Sequence, residues 1–292
     1  MMGKFVFVYD NYADTGTLSG GSYVSTLPLS NAQDQDIARV ARTTNPLTAS
    51  TIIRADLGIA RPVGGIIVGP INASPGAQYR VRAYDAAGWD AGDISYDSGL
   101  KTIAGVVVPS LDLEWEDPGF WNGIDIDTID ELPTYLIEVI PEASLLSTLT
   151  QWFAIEIIDP ANSAGYAEFG RVLIGRAWRP SINYGYSGNS FGIDPRTEIV
   201  ESEGGLETFD ERGQRRTLRV AFDNLAEDEI FGDVFRIMNR QGVSKQGFVV
   251  PDPDDEEHLL RRSFLATFKQ VPEIAQVLFA RGSTAFDFKE VL

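Results

Sequence analysis

Residues 165–178 read GYAEFGRVLIGRAW, with Val172, Leu173 and Ile174 set between Gly170 and Gly175 and with Trp178 and Pro180 close behind. Three apolar residues in a row, two of them β-branched, bounded by glycines, fit a buried strand with turn residues at both ends. A strand of that kind can close a sheet. Short strand candidates crowd the sequence before it, whereas one segment after it carries every local mark of a helix. A boundary is therefore expected near Ala177–Pro180, with an all-β domain over 1–177 and a second domain over 178–292.

Upstream of that stretch, Phe5–Tyr9, Thr51–Leu57, Val63–Val68, Gln78–Tyr84, Gly105–Val108, Tyr135–Ile140 and Trp152–Ile158 read as strands. Between several of them lie turn formers, as in Gly58–Pro62, Gly69–Gly76 and Asp85–Gly92. In Gln78–Tyr84, Tyr79, Val81 and Ala83 alternate with Arg80, Arg82 and Tyr84, so one face should be buried and the other wet. Many short strands at close spacing point to a sandwich or barrel. No fixed-length repeat is present, which argues against a solenoid or propeller. Ala32–Ala41 is too polar for a helix, and Leu111–Leu132 reads as a long acidic excursion carrying Trp115, Phe120 and Trp121.

Downstream, Ser181–Gly213 reads as a long loop or an extended hairpin, with Tyr184, Tyr186, Phe191 and Phe209 among Gly, Asn and Ser. Thr217–Phe222 alternates as a strand. Ala226–Gln241 then predicts a helix, with Ile230, Val234, Ile237 and Met238 at helical spacing and Phe231 and Phe235 widening the apolar face. Asn224 is placed to cap it, Glu227, Asp228 and Glu229 suit its positive end, Arg236 and Arg240 suit the other, and Gly242 can stop it. Strands over Gly247–Val250, Ser263–Phe268, Gln276–Ala280 and Thr284–Val291 complete the chain.

Composition narrows the function classes. The 292 residues are 43% hydrophobic and 23% charged, with 28 glycines and 15 prolines, which suits a folded, loop-rich, β-rich protein of two domains. A net charge of −18 argues against wrapping nucleic acid, since phosphate binding needs a basic stripe. From Thr102 to Gly170 there is no Lys or Arg, so one rim should be strongly negative. The absence of cysteine removes disulfides, thiolate metal sites and a cysteine nucleophile. Met1–Asp10 lacks a basic segment leading into a long apolar core, and no apolar run approaches the ~18–20 residues of a membrane helix, so a soluble chain with no membrane partner is expected.

The candidate chemistry is sparse. His258, the one histidine, stands in an acidic run beside Glu256 and Glu257 and reads as an exposed loop residue rather than a catalytic base. Asp252, Asp254, Asp255, Glu256 and Glu257 lack the glycine-bearing spacing of a calcium loop, and Asp125, Asp127 and Asp130 read likewise as solvated charge. No sequence spacing sets two carboxylates across a cleft for glycoside hydrolysis, and no phosphate-cradling loop is present. No catalytic, cofactor or metal residue is therefore assigned. Trp89, Trp115 and Trp121 fall in loops, where aromatic faces can stack on sugar rings or else seal the end of a sandwich or an oligomer interface.

Two resemblances follow from the order of these pieces. Leu27–Asn31, Arg39–Thr43, Ile53–Gly58, Arg61–Gly69, Tyr79–Asp85 and Gly165–Gly175, taken in sequence, resemble the galactose-binding-like, discoidin-type β-sandwich found in bacteriophage tail proteins. From Arg179 to Leu292, the strand-helix-strand-strand-strand order resembles the ring-forming domain of siphophage distal tail proteins and their tail-tube relatives, with GVSKQGFVVPDP at 242–253 and AFDFKEVL at 285–292. That second resemblance implies a small β-sandwich or split barrel flanked by one α-helix, assembled into a homo-oligomeric ring, a hexamer, around the tail channel. The helix residues Ile230, Phe231, Val234, Phe235, Ile237 and Met238 would belong to it. It further implies a structural, non-enzymatic component of the tail tip or baseplate without a cofactor, meeting the tail tube protein and the tail hub and tip proteins. Its place would be the virion, after assembly in the host cytoplasm, with DNA passing through but not specifically bound. The alternative is a carbohydrate-binding adhesion module that recognises a host surface glycan through Trp89, Trp115 or Trp121.

Overall fold

The computed structural model describes residues 4–103, 115, 132–142, 149–185, 187–201, 204–205, 207–255, 258–278 and 280–292. The chain divides into two compact units, Met1–Trp178 with Val250–Ser263, and Arg179–Val249 with Phe264–Leu292. One boundary between contiguous domains was expected; instead Val250–Ser263 returns to the first unit. Among the described residues no helix is long and apolar enough to cross a membrane.

The first unit is a β-sandwich, two sheets closed over one core. Its strands are β1 (Val6–Tyr9), β2 (Thr17–Ser19), β3 (Ala41–Arg42), β4 (Ile53–Pro62), β5 (Gly65–Ile71) and β6 (Gln78–Tyr84). β7 (Ile94–Asp97), β8 (Lys101–Thr102), β9 (Leu136–Val139), β10 (Leu149–Ile158) and β11 (Glu168–Trp178) complete it. One sheet runs β1-β11-β5-β9 with β3 on β11, and the other runs β2-β4-β10-β6-β7 with β8 on β6. The period-two pattern decides which side chains meet between them. Ile53 and Ala55 of β4, Val81 and Ala83 of β6, and Phe153, Ile155 and Ile157 of β10 pack with Ile66 and Val68 of β5 and Phe169, Val172 and Ile174 of β11.

Glu168–Trp178 forms an eleven-residue strand, and Gly170 and Gly175 lie inside it rather than at its ends. Close backbone approach is the reason. A Cβ on Gly175 would lie 2.4 Å from the Tyr9 carbonyl oxygen, and one on Gly170 would lie 2.6 Å from that of Ile37. Gly58–Pro62, expected as a turn, is likewise drawn into β4, where the register against β10 shifts between Thr150 and Trp152 and Gly58 takes φ +76°. The expected strand Gly105–Val108 and nearly all of the Leu111–Leu132 excursion lie outside the described residues.

Two buried charges fasten the sandwich. Arg171, 2% exposed, reaches Asp14 at 2.8 Å and the Gln33 carbonyl, tying two loops to β11. Glu138 is fully buried, yet it accepts from Lys101 Nζ at 2.8 Å, Tyr96 at 2.6 Å and Tyr79 at 3.0 Å. Burial, and then the Glu138 carboxylate, push the Tyr79 phenol above its ordinary range and keep its proton in place.

The second unit contains β12 (Ser190–Asp194), β13 (Glu198–Glu201), β14 (Glu207–Asp210), β15 (Arg215–Ala226), β16 (Gly247–Val250), β17 (Phe264–Phe268), β18 (Ile274–Leu278) and β19 (Arg281–Glu290). Its antiparallel sheet runs β12-β15-β19-β17-β16, with β17 and β18 both pairing β19, while β13 and β14 form a separate hairpin. The inward residues of β15, β17 and β19 make an aromatic core: the Phe268 ring lies 5.6 Å from Phe286 and 5.1 Å from Phe288, and Phe222 lies 5.8 Å from Phe286. Arg216 and Glu290 face each other as a buried pair, 2.5 Å apart at the closest, with the Arg216 N–H also donating to the carboxylate.

The helix spans Glu227–Gln241, with a π turn over Ile230–Val234 between two α segments. Ile230, Val234 and Ile237 are buried and Met238 is half-buried, but Phe231 and Phe235 are exposed. At about 100° per residue those two phenylalanines stand roughly 90–130° from the buried arc, too far round to reach the sheet. Ile230 lies over Gly282, where a Cβ would come 2.5 Å from its Cδ1. Gly242 ends the helix at φ +51°, as its position suggested, but the N-cap is Ala226 and not Asn224. Asn224 instead takes φ +62° where β15 shifts register against β19.

Candidate functional site

One group of aromatic and cationic residues of the first unit meets on the face of its second sheet that points away from the core. Cross-strand register places Asp56, Trp152 and Tyr84 in one row and Arg54, Ala154 and Arg82 in the next. The loop after β6 then carries Trp89, held at φ +58°, back to this face. Its ring meets Tyr84 edge-on at 5.3 Å, and the Arg54 guanidinium lies 5.4 Å from its centroid. Among the described residues Arg54 has no carboxylate partner, and its Nε is buried without a hydrogen bond. Arg80 and Arg82, by contrast, are paired: Arg80 reaches Asp97 at 2.5 Å and Arg82 reaches Glu156 at 2.9 Å.

Nearby carboxylates are fixed as anions. Gln151 first, then the Gly58 N–H and the Trp152 indole, hold Asp56 below the usual carboxylate range. Asp97 is pulled down to about 2, chiefly by Arg80. The arrangement presents one unpaired cation beside aromatic rings, with hydrogen-bonded carboxylates around it. Chemically it can hold an anion or a ring with polar edges; among the described residues it sets no base and nucleophile against one another.

Of the three tryptophans singled out from sequence, Trp89 joins this cluster, Trp115 is 71% exposed, and Trp121 lies outside the described residues. Arg54 and Trp152 were missed, since each sits in a segment read only as strand and their proximity exists only through pairing with β10 and β4. Near His258, Asp255 accepts from the His258 N–H and pairs with Arg262 at 2.7 Å, and Asp252 accepts from the Asp254 N–H. Those acids serve local turns. Among the described residues no group of three metal-ligating side chains comes together.

The second unit presents a different kind of surface. All eight strand residues of the β13–β14 hairpin are exposed. Ile199, Val200 and Phe209 on the hairpin, Phe191 and Ile193 on β12, and Phe231 and Phe235 on the helix are each 48% to 63% exposed. Single exposed apolar residues are ordinary; here seven fall on three elements of one small unit.

No family model matches the sequence, and no curated protein matches it. Among solved structures the chain is similar to CpGH89CBM32-4 from Clostridium perfringens in complex with glcNAc-alpha-1,4-galactose, at 16% identity and a TM-score of 0.35 over 57% of this chain and 94% of that one. It is similar to a mutant of the lectin binding domain of Lectinolysin complexed with Lewis b, at 12% identity and a TM-score of 0.36 over 58% of this chain and 98% of that one. A third is CBM32-1 from a family 31 glycoside hydrolase from Clostridium perfringens, at 11% identity and a TM-score of 0.33 over 57% of this chain and 99% of that one. The fold defines a mainly β protein of two units, and the sandwich stands on its own strand pairing and core.

Proposed function

We propose that this chain is a non-enzymatic assembly subunit whose second unit binds copies of itself. The observation that carries the reading is the set of large apolar side chains which that unit leaves in water, on an edge strand, on a hairpin and on the outer side of its helix. A two-stranded hairpin is marginally stable alone in water, so one with uncovered Ile199 and Phe209 gains from a partner. With the residue order that resembles distal tail proteins, this makes the second unit the ring former of a phage tail tip, repeating a heterologous contact until the ring closes. The net charge of −18 suits a ring through which DNA passes without sticking. Negative-stain microscopy of the purified protein tests it: closed rings of a single copy number are expected, and isolated particles at every concentration would remove the reading.

A second reading is favoured by the first unit alone. Trp89 beside an unpaired Arg54, with Trp115 exposed, offers aromatic and hydrogen-bonding surface suited to a sugar. It predicts binding on an array of bacterial surface glycans that is lost in Trp89→Ala or Trp115→Ala. Signal at background across the array would dispose of it.

A further inference from the structure

Two features of the second unit look like the two halves of one contact. In the β13–β14 hairpin, Glu198 faces Asp210, Ile199 faces Phe209, Val200 faces Thr208 and Glu201 faces Glu207. Two of the four pairs thus set like charges directly opposite, which weakens a ladder. Arg212 relieves the first of them, 3.0 Å from Glu198 and 2.8 Å from Asp210. Glu201 and Glu207 form no ion pair among the described residues. Alternation puts these two carboxylates on the same hairpin face as Ile199 and Phe209, so that face carries two apolar side chains and two uncompensated negative charges. Since every strand residue of the hairpin is exposed, the hairpin does not lie on its own sheet.

The complementary feature is a groove of about 300 Å³ on that sheet, lined in part by Ser190, Thr217, Arg219, Lys269, Gln270 and Asp287. Ser190, Arg219 and Asp287 form one cross-strand row. Arg219 reaches Asp287 only at 3.8 Å, and Lys269 forms no ion pair among the described residues. In the next row Lys289 faces Thr217, while Arg215, one row further, is paired with Asp194 at 2.6 Å. Among the described residues Asp287 thus makes the one ion pair to these three cations, with Asp194 acting on Lys269 at longer range, in a chain whose net charge is −18. The stems of Arg219 and Lys269 also offer apolar surface to a neighbouring Ile or Phe.

We propose that the Glu201/Glu207 end of the hairpin of one copy seats in the Arg219/Lys269 groove of the next. The contact is heterologous, joining two different patches, so it propagates from copy to copy and can close a ring. It rests on the self-assembly reading and adds which surfaces meet and why. It also covers the cations that would otherwise hold a passing polyanion.

Sedimentation velocity on the full chain, run across a concentration and salt series, tests this. Glu201→Lys with Glu207→Lys should weaken association by about tenfold or more, as should Arg219→Glu with Lys269→Glu, because each puts like charges into the contact. A chain carrying all four reversals should regain association, and added salt should weaken the wild type. All four positions are exposed, and unchanged circular dichroism confirms that the variants fold. If the wild type assembles and neither pair of reversals weakens it, the docking falls while self-assembly stands. If the wild type never assembles, both fall. If the groove variant alone loses function, and what it loses is retention of double-stranded DNA at low salt, the groove serves nucleic acid and the proposal is overturned.

Discussion

The two units treat their apolar side chains differently. In the first, Phe153, Ile155, Val172 and Ile174 are closed between two sheets, and the charges buried with them are paired. In the second, an aromatic core holds one side of a sheet while Phe209, Phe231 and Phe235 remain in water. The first unit also leaves Leu47, Ile59, Leu100 and Leu149 more than half exposed, but burial between its two sheets builds stability. Burial left incomplete is available to a partner, and the same kind of substitution should therefore have different consequences in the two places.

Phe153→Ala should produce the largest loss, about 3–5 kcal/mol of first-unit stability in chemical denaturation, since it empties a site between the sheets. Lys101→Met should cost about 1–3 kcal/mol, because the Glu138 carboxylate stays buried after its cation is gone, and Lys101→Met with Glu138→Gln should recover part of it. Gly175→Ala should cost a similar amount, about 1–3 kcal/mol, by forcing β11 away from the Tyr9 carbonyl. A loss below about 0.5 kcal/mol for any of these would break the description of the first unit as tightly closed.

The effect of pH is smaller. Asp97 is held at about 2 in the folded chain, below the ~3.9 of an unfolded aspartate. A depressed carboxyl contributes stability that is present above the unfolded value and is lost as pH falls from about 4 through about 2. The pair with Arg80 is partly exposed, so the contribution is on the order of 1 kcal/mol. Thermal melts of wild type and Asp97→Asn should converge across that window, and a constant gap down to pH 2 would contradict it. Smallest of all, Phe209→Ser or Phe235→Ser should move stability by no more than about 0.5 kcal/mol while altering association. A large drop in the melting temperature of dilute protein would mean those rings serve the fold of a single copy.

Much of this was legible in the sequence, where the physics is local. Gln78–Tyr84 shows its two faces by alternation alone, and the spacing of Ile230, Val234 and Ile237 shows the helix, although Phe231 and Phe235, expected on its apolar face, stand in water. Long-range contacts did not show. Gly170 and Gly175 resemble turn residues until their strand is seen running against neighbouring backbone, and Asn224 resembles a cap until β15 shifts register there. Arg54 and Trp89 lie 35 positions apart and meet only because the Asp85–Asp93 loop folds over the sheet. The hairpin's role was hidden for the same reason: the opposition of Glu201 to Glu207 is a matter of register, and the groove is assembled from four separate segments.

Amide hydrogen exchange, followed by mass spectrometry in dilute and in concentrated protein, puts the difference between the two units to the most direct test. Protection should rise with concentration over Glu198–Asp210 and along the groove strands, while β10 exchanges at one rate throughout. A hairpin that exchanges freely at every concentration, with the protein otherwise folded, would contradict the view that its uncovered face is made for another copy.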